Sequence, residues 1–273
     1  MYAYTYFTTD RRPSTPWAWW QAGRRSSGTW RPSACSSAAA AGACRSRPSP
    51  PRSSAIPFAF FFLRDSGIKT PADFAGKTIG IQGTARPLLD AVLAKYQVPR
   101  DKVNVIIIGG TTTPLLTKQA DVVTGWVINY AQNLPIEGKS SYFLLWDLGI
   151  RMYAYTYFTT DQVYNTKKDV LTRYVAAAAK GWLYAKDHPE EAVDYVLKSA
   201  SGLERDMEVP TWKVSIPYIS SPATQQQGWG YMDPQVWGSR ADTYLALDQI
   251  PRKVTPDEIM SNEIVLAAKT PKF

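Results

Sequence analysis

Apolar positions come in short dense runs between residues 56 and 161, then spread into helical spacing. Residues 58–63, FAFFFL, are unbroken apolar and read as a buried strand, turned by Arg64-Asp65-Ser66-Gly67. Thr70 before Pro71 predicts a short helix, with Thr70 as N-cap and Pro71 at the first position, ended by Ala75-Gly76-Lys77. Residues 78–82 read as a strand. Gly83 turns the chain tightly into a helix starting at Thr84 or Ala85, in which Leu88, Leu89, Val92, Leu93 and Tyr96 recur at helical spacing. The β-branched run 103–108 carries the signature of a strand covered on both faces. Thr111-Thr112-Thr113-Pro114 leads into a short helix around 115–118. Residues 121–125 form the next strand, ending in Trp126, and a helix runs through 128–134. Residues 142–146 and 153–159 read as two more strands. The alternation of strands and helices from 78 to 134 predicts a parallel, layered α/β sheet with right-handed crossovers.

Past Asp161 the period becomes helical. Val170, Leu171, Tyr174, Val175, Ala178 and Trp182 fall on one face. Pro189 opens a second helix with Glu190 and Glu191 in its first turn and Ala192, Val193, Val196 and Leu197 inward. Asp233-Pro234 opens a third, with Val236, Trp237, Tyr244 and Leu245 inward, and Pro256-Asp257-Glu258 offers a last helix start.

Upstream of Ile56 the pattern vanishes. Residues 11–54 contain no Leu, Ile, Val, Met, Phe or Tyr, so they cannot offset the entropy of ordering with buried area. Residues 1–55 are therefore expected to be an aberrant, disordered segment. Arg, Ala, Pro, Gly and Trp, read from G/C-rich codons, are what a G/C-rich gene yields out of frame, and a frameshift over about 11–54 explains the segment. The alternative, an Arg-rich nucleic-acid tail with Trp17, Trp19, Trp20 and Trp30 as stacking groups, stays open. The net charge of +8 is carried entirely by eight Arg between 11 and 52, so the rest of the chain is neutral and no nucleic-acid partner is expected for it. The cysteines, Cys35 and Cys44, fall in the same stretch and read as incidental thiols. Residues 1–10 and 152–161 are both MYAYTYFTTD. A functional repeat would recur as a drifting supersecondary unit; an unchanged decapeptide with unrelated flanks points to duplicated coding sequence. Only the second copy has an evident place, inside a sheet.

Candidate chemistry gathers where a parallel strand ends. Gln82, Gly83, Thr84, Ala85 and Arg86 lie at the C-terminal edge of a strand and open a helix, where free backbone N–H groups suit an anionic or polar ligand. Gly83 allows close approach, Thr84 brings a hydroxyl, and Arg86 could pair with a carboxylate, sulfonate or phosphate. The same edge offers Thr111 and Thr112 as hydroxyls, with helix capping as the alternative. It also offers Gly125, Trp126 as a ring to stack on a flat ligand, and Asn129. His188 precedes Pro189 at a helix start and reads as a surface or capping residue rather than a catalyst. No Ser/His/Asp order, carboxylate pair, metal-ligand spacing or phosphate loop stands out, and neither a metal nor a cofactor is expected.

The stretch Asp65-Ser-Gly-Ile-Lys-Thr-Pro-Ala-Asp-Phe-Ala-Gly-Lys-Thr-Ile-Gly-Ile-Gln-Gly83 resembles the core of periplasmic solute-binding proteins of ABC transporters. The branch is the one for nitrate, sulfonate, taurine and thiamine-pyrimidine precursors. Asp121–Trp126, Tyr157–Asp161, Lys180-Gly-Trp182, His188–Ala192 and Gly230-Tyr-Met-Asp-Pro234 resemble its later segments in order, so the likeness covers about 57–265. It implies a type II, periplasmic-binding-protein-like α/β fold of two lobes with a hinged cleft. Residues 67–160 are then the second lobe, and 56–66 with 161–273 a remnant of an incomplete first lobe carrying the C-terminal helices. The implied role is that of a non-enzymatic binding component, delivering a small anionic or heteroaromatic solute to a membrane permease. The family's place is the periplasm or, lipid-anchored, outside the membrane; this chain shows no export signal and as written is expected to stay in the cytoplasm. The alternatives are a thiamine-pyrimidine synthase-like enzyme of the same fold, which needs a reactive His and a Cys-rich motif that 55–273 lack, and a truncated remnant without function.

Overall fold

The computed structural model describes residues 46–51 by their backbone, and 56–154 and 156–273 in full. The Arg-rich stretch up to 45, both cysteines and the first decapeptide lie outside the described residues. Residues 46–51 correct the expectation of disorder over 1–55. They form a strand, β1 (Ser46–Pro51), paired antiparallel with β7 (Thr156–Thr160) through an irregular register between Ser49 and Pro51.

The main sheet holds β2 (Phe58–Leu63), β3 (Thr78–Ile81), β4 (Asn104–Ile107), β5 (Val122–Trp126) and β6 (Ser140–Leu144), in the order β4-β3-β5-β2-β6. Strands β3, β4 and β5 are parallel, as the alternation predicts, while β2 runs antiparallel to both β5 and β6. Residues 58–63 therefore do not group with the C-terminal helices, as expected for 56–66; they thread the middle of the α/β sheet. Their composition explains the position. Phe58, Phe60 and Phe62 fill one face and Ala59 and Phe61 the other, all buried, which suits a strand with neighbours on both sides and cover above and below.

The run expected to be covered on both faces is instead the sheet's edge. In β4 the ends are exposed and Ile107 is 70% accessible. Helix α1 (Arg86–Lys95) reaches β3 and the aromatic face of β2 with Leu89, Val92 and Leu93, but does not extend over the far end of β4. Helices α2 (Thr113–Leu116) and α3 (Tyr130–Asn133) follow β4 and β5, and Leu115 and Ile136 cover the Phe61 face. The short turn Pro71–Phe74 has the predicted cap: Thr70 and Asp73 form a capping box, and Asp73 accepts from the N–H groups of Lys69 and Thr70, which hold its carboxyl below the usual range.

Eight α-helices follow β7: α4 (Asp161–Thr166), α5 (Lys168–Asp187), α6 (Pro189–Ser199), α7 (Arg205–Ser215), α8 (Pro222–Gln227), α9 (Pro234–Ala246), α10 (Pro256–Ile259) and α11 (Glu263–Ala268), the last returning against α5. Leu171, Val175 and Ala179 are the buried line of α5, whereas Val170 faces outward. Helix α7 has Pro210 inside it and no buried residue; Trp212 anchors it by donating from Nε1 to the Ala185 carbonyl at 2.7 Å. The second decapeptide joins the two halves. Met152, Tyr153 and Ala154 are buried, the Met152 carbonyl accepts from the Ile56 N–H, and the Tyr153 hydroxyl accepts from the Asp233 N–H at 2.7 Å. Among the described residues no helix is long and apolar enough to cross a membrane.

Candidate functional site

The strand order builds a crevice. From β3 the chain passes through α1, on the Phe60 face, to β4 on one side. It returns through α2, on the Phe61 face, to β5 on the other side of β3. Neighbours β3 and β5 thus send their following segments to opposite faces. Open α/β sheets bind ligands at such a switch point, beyond the carboxyl ends of the strands.

On the β3 side, Gly83–Ala85 form a short 3-10 turn that runs straight into α1. Ala85 is buried, while Gly83 and Thr84 are exposed. The first N–H groups of such a turn have no carbonyl behind them and sit at the positive end of α1. A Cβ placed on Gly83 would meet nothing within 4 Å, so the space above this backbone is open. The amide of Gln82 is consumed: Nε2 donates to the Thr124 carbonyl at 2.8 Å and Oε1 accepts from the Thr124 hydroxyl at 2.9 Å. Arg86 leans down the helix to Asp90, with Nε 3.3 Å from Oδ2. The same carboxylate holds Arg100 at 3.2 Å, a separation that pairs the charges without hydrogen-bond alignment.

On the β5 side, Gly125 is buried and its missing Cβ would lie 3.2 Å from Phe61, so this glycine answers to packing. Trp126 is half-buried, edge-on to Phe58 with ring centres 5.9 Å apart. Its carbonyl accepts from the Asn133 side chain at 3.0 Å, and Asn129 donates to the Gln132 side chain at 2.8 Å. Across β3, the Thr112 hydroxyl is buried and donates to the Gln132 carbonyl at 2.7 Å, while the Thr111 hydroxyl accepts from the Thr113 N–H at the start of α2, whose N-cap position is Thr112. The structure thus brings Gly83, Thr84 and Trp126 together at the switch point. It engages Gln82, Arg86, Thr111, Thr112 and Asn129 in contacts within the chain. Thr124, Gln132 and Asn133 organise the crevice and were not singled out from sequence. Thr124 did carry a signal, a lone hydroxyl inside a buried apolar strand.

Elsewhere, His188 is exposed at the start of α6, its ring stacked on Tyr184 at 4.4 Å. Tyr184 and Tyr195 both donate to Glu191 and hold its carboxyl low. Among the described residues no three His, Cys, Asp or Glu side chains are grouped to hold a metal.

Comparison with known proteins agrees with this architecture. A formylaminopyrimidine-binding protein of Halalkalibacterium halodurans is 23% identical over 211 residues, which are 74% of this chain and 63% of that protein, so the chain spans less than two thirds of this relative. Among solved structures, the periplasmic aliphatic sulphonate binding protein SsuA from Escherichia coli superposes with a TM-score of 0.58 at 16% identity, over 81% of this chain and 70% of that one. The desulfurization enzyme DSZB superposes with a TM-score of 0.55 at 16% identity, over 86% and 82%. These likenesses show a periplasmic-binding-protein-like fold, one that carries both binding proteins and an enzyme. The family model described as NMT1/THI5 like matches residues 54–192, just over half of the sequence, and the chain belongs to that family.

Proposed function

We propose that this chain is the solute-binding component of an ABC importer, working outside the cytoplasmic membrane with a permease and catalysing nothing. The carrying observation is the switch-point crevice, with the exposed Gly83–Thr84 backbone on one lip and Trp126 on the other. Backbone donors and an indole suit a small solute with acceptor atoms and a flat face. Arg86 shares its charge with Asp90, so of the two solute classes considered, anionic and heteroaromatic, the arrangement favours the heteroaromatic. The relative that binds formylaminopyrimidine supports that choice. The helices from α4 onward, with β1 and β7, are read as what the chain retains of the first lobe.

A pyrimidine-synthesising enzyme is the competing reading, and an enzyme among the structural neighbours keeps it in view. It would need a reactive side chain, and the residues around the crevice are amides, hydroxyls and rings. A thermal-shift screen of the purified chain with formylaminopyrimidine, an alkanesulfonate, taurine and nitrate separates the readings. Stabilisation by the pyrimidine with no product formed is the expected result. Turnover would favour the enzyme, and no shift with any probe would leave a remnant without binding function.

A further inference from the structure

Gln82 sits where β3 and β5 part. Their backbone ladder pairs Ile79 with Val122 and Gly80 with Val123, and two residues further on the contact passes to the Gln82 side chain. The Thr124 carbonyl can only accept, which fixes the amide: nitrogen to the carbonyl at 2.8 Å, oxygen to the Thr124 hydroxyl at 2.9 Å. Thr124 is 2% exposed, and the Gly80 carbonyl, 3.3 Å from its hydroxyl, lies on β3 two residues before Gln82. Both polar ends of Gln82 therefore bond the neighbouring strand, one through an N–H and one through the amide oxygen, and the next residue is Gly83.

Resting on the binding reading above, we propose that Gln82 is a positioning residue rather than a ligand contact: a two-bond strut across β3 and β5 that sets the crevice width and the placement of the Gly83 and Thr84 N–H groups. A rigid strut of this kind preorganises the site, so the ordering is in place before solute arrives.

Gln82→Glu gives a conditional test. A protonated carboxylic acid reproduces the strut, donating to the Thr124 carbonyl and accepting from its hydroxyl. A carboxylate cannot donate, and its oxygen would face a carbonyl oxygen. The charged form is disfavoured there, so the strut persists at low pH and is lost as pH rises through the introduced group's pKa. Hydrogen exchange over residues 78–90 needs no ligand. Gln82→Glu should match the wild type at pH 5 and exchange at least fivefold faster than it at pH 8. Affinity for formylaminopyrimidine should follow, equal at pH 5 and at least tenfold weaker at pH 8, with the wild type flat. Thr124→Val, which keeps the shape and removes one bond of the strut, should show the same partial loss at both pH values, falling between the wild type and Gln82→Glu at pH 8. Exchange or affinity of Gln82→Glu that tracks the wild type at both pH values overturns the strut. A wild type that binds no pyrimidine while the exchange arm behaves as stated overturns the binding reading and leaves the strut standing.

Discussion

Two glycines separate packing from access. Gly125 has no room for a methyl group, because Phe61, buried at 3% exposure, lies 3.2 Å from where the Cβ would be. Gly83 has open space above it and no left-handed φ. Gly125→Ala should therefore cost about 1–3 kcal/mol through overpacking, while Gly83→Ala should leave stability within about 0.5 kcal/mol. Urea unfolding of both variants checks this; a reversed order would contradict tight packing at Gly125 and open space at Gly83. From sequence alone the two glycines look equivalent, each ending an apolar strand. What distinguishes them is a ring more than twenty residues away, which no local pattern carries.

Among the elements, β2 is the buried strand that its sequence suggests, whereas β4, expected to be covered on both faces, is the edge of the sheet. Both are short apolar runs, and periodicity cannot say which is central. Aromatic content was the better guide: five of the six residues of β2 are buried on two faces, and Phe60 is fully enclosed against Phe58 and Phe74. Phe60→Ala should cost about 3–5 kcal/mol, and Ile107→Ala, on the exposed end of β4, no more than about 0.5 kcal/mol. Equal losses in chemical denaturation would contradict the strand order. Helix α7 escaped the sequence reading because Pro210 interrupts its pattern and nothing in it is buried. The helix starts at Pro71, Pro189, Pro234 and Pro256 were legible, since Pro at the first position acts locally, although His188 makes no side-chain cap bond. The candidate site was legible only as a place. Strand ends mark it, but the partners that occupy Gln82 and Thr112 come from other elements, while Arg86 turns to Asp90 on its own helix.

For the molecule as a whole, the second decapeptide joins the α/β sheet to the C-terminal helices, and Tyr153 is its pin. Burial pushes the Tyr153 hydroxyl up to about 12, Asp233 and Tyr231 adding to it and the bond from the Asp233 N–H opposing. Below pH 10 the phenol is protonated in both the folded and the unfolded chain. Between about pH 10 and 12 only the unfolded chain releases the proton, so stability falls with rising pH by up to roughly 2–3 kcal/mol. Tyr153→Phe should flatten that part of the alkaline slope, and at neutral pH cost about 1 kcal/mol for the acceptor lost to Asp233. Denaturant melts at pH 8 and pH 11 test both statements, and an unchanged slope in the variant would free Tyr153 of the role.

In the proposed binding mode, solute sits at the switch point, against the Gly83–Thr84 backbone. Calorimetric titration of the full chain and its Gly83→Ala variant with formylaminopyrimidine tests this placement. Saturable micromolar binding to the wild type and at least tenfold weaker binding to the variant at an unchanged melting temperature are expected; no heat with the wild type, or equal affinity in both, would overturn it.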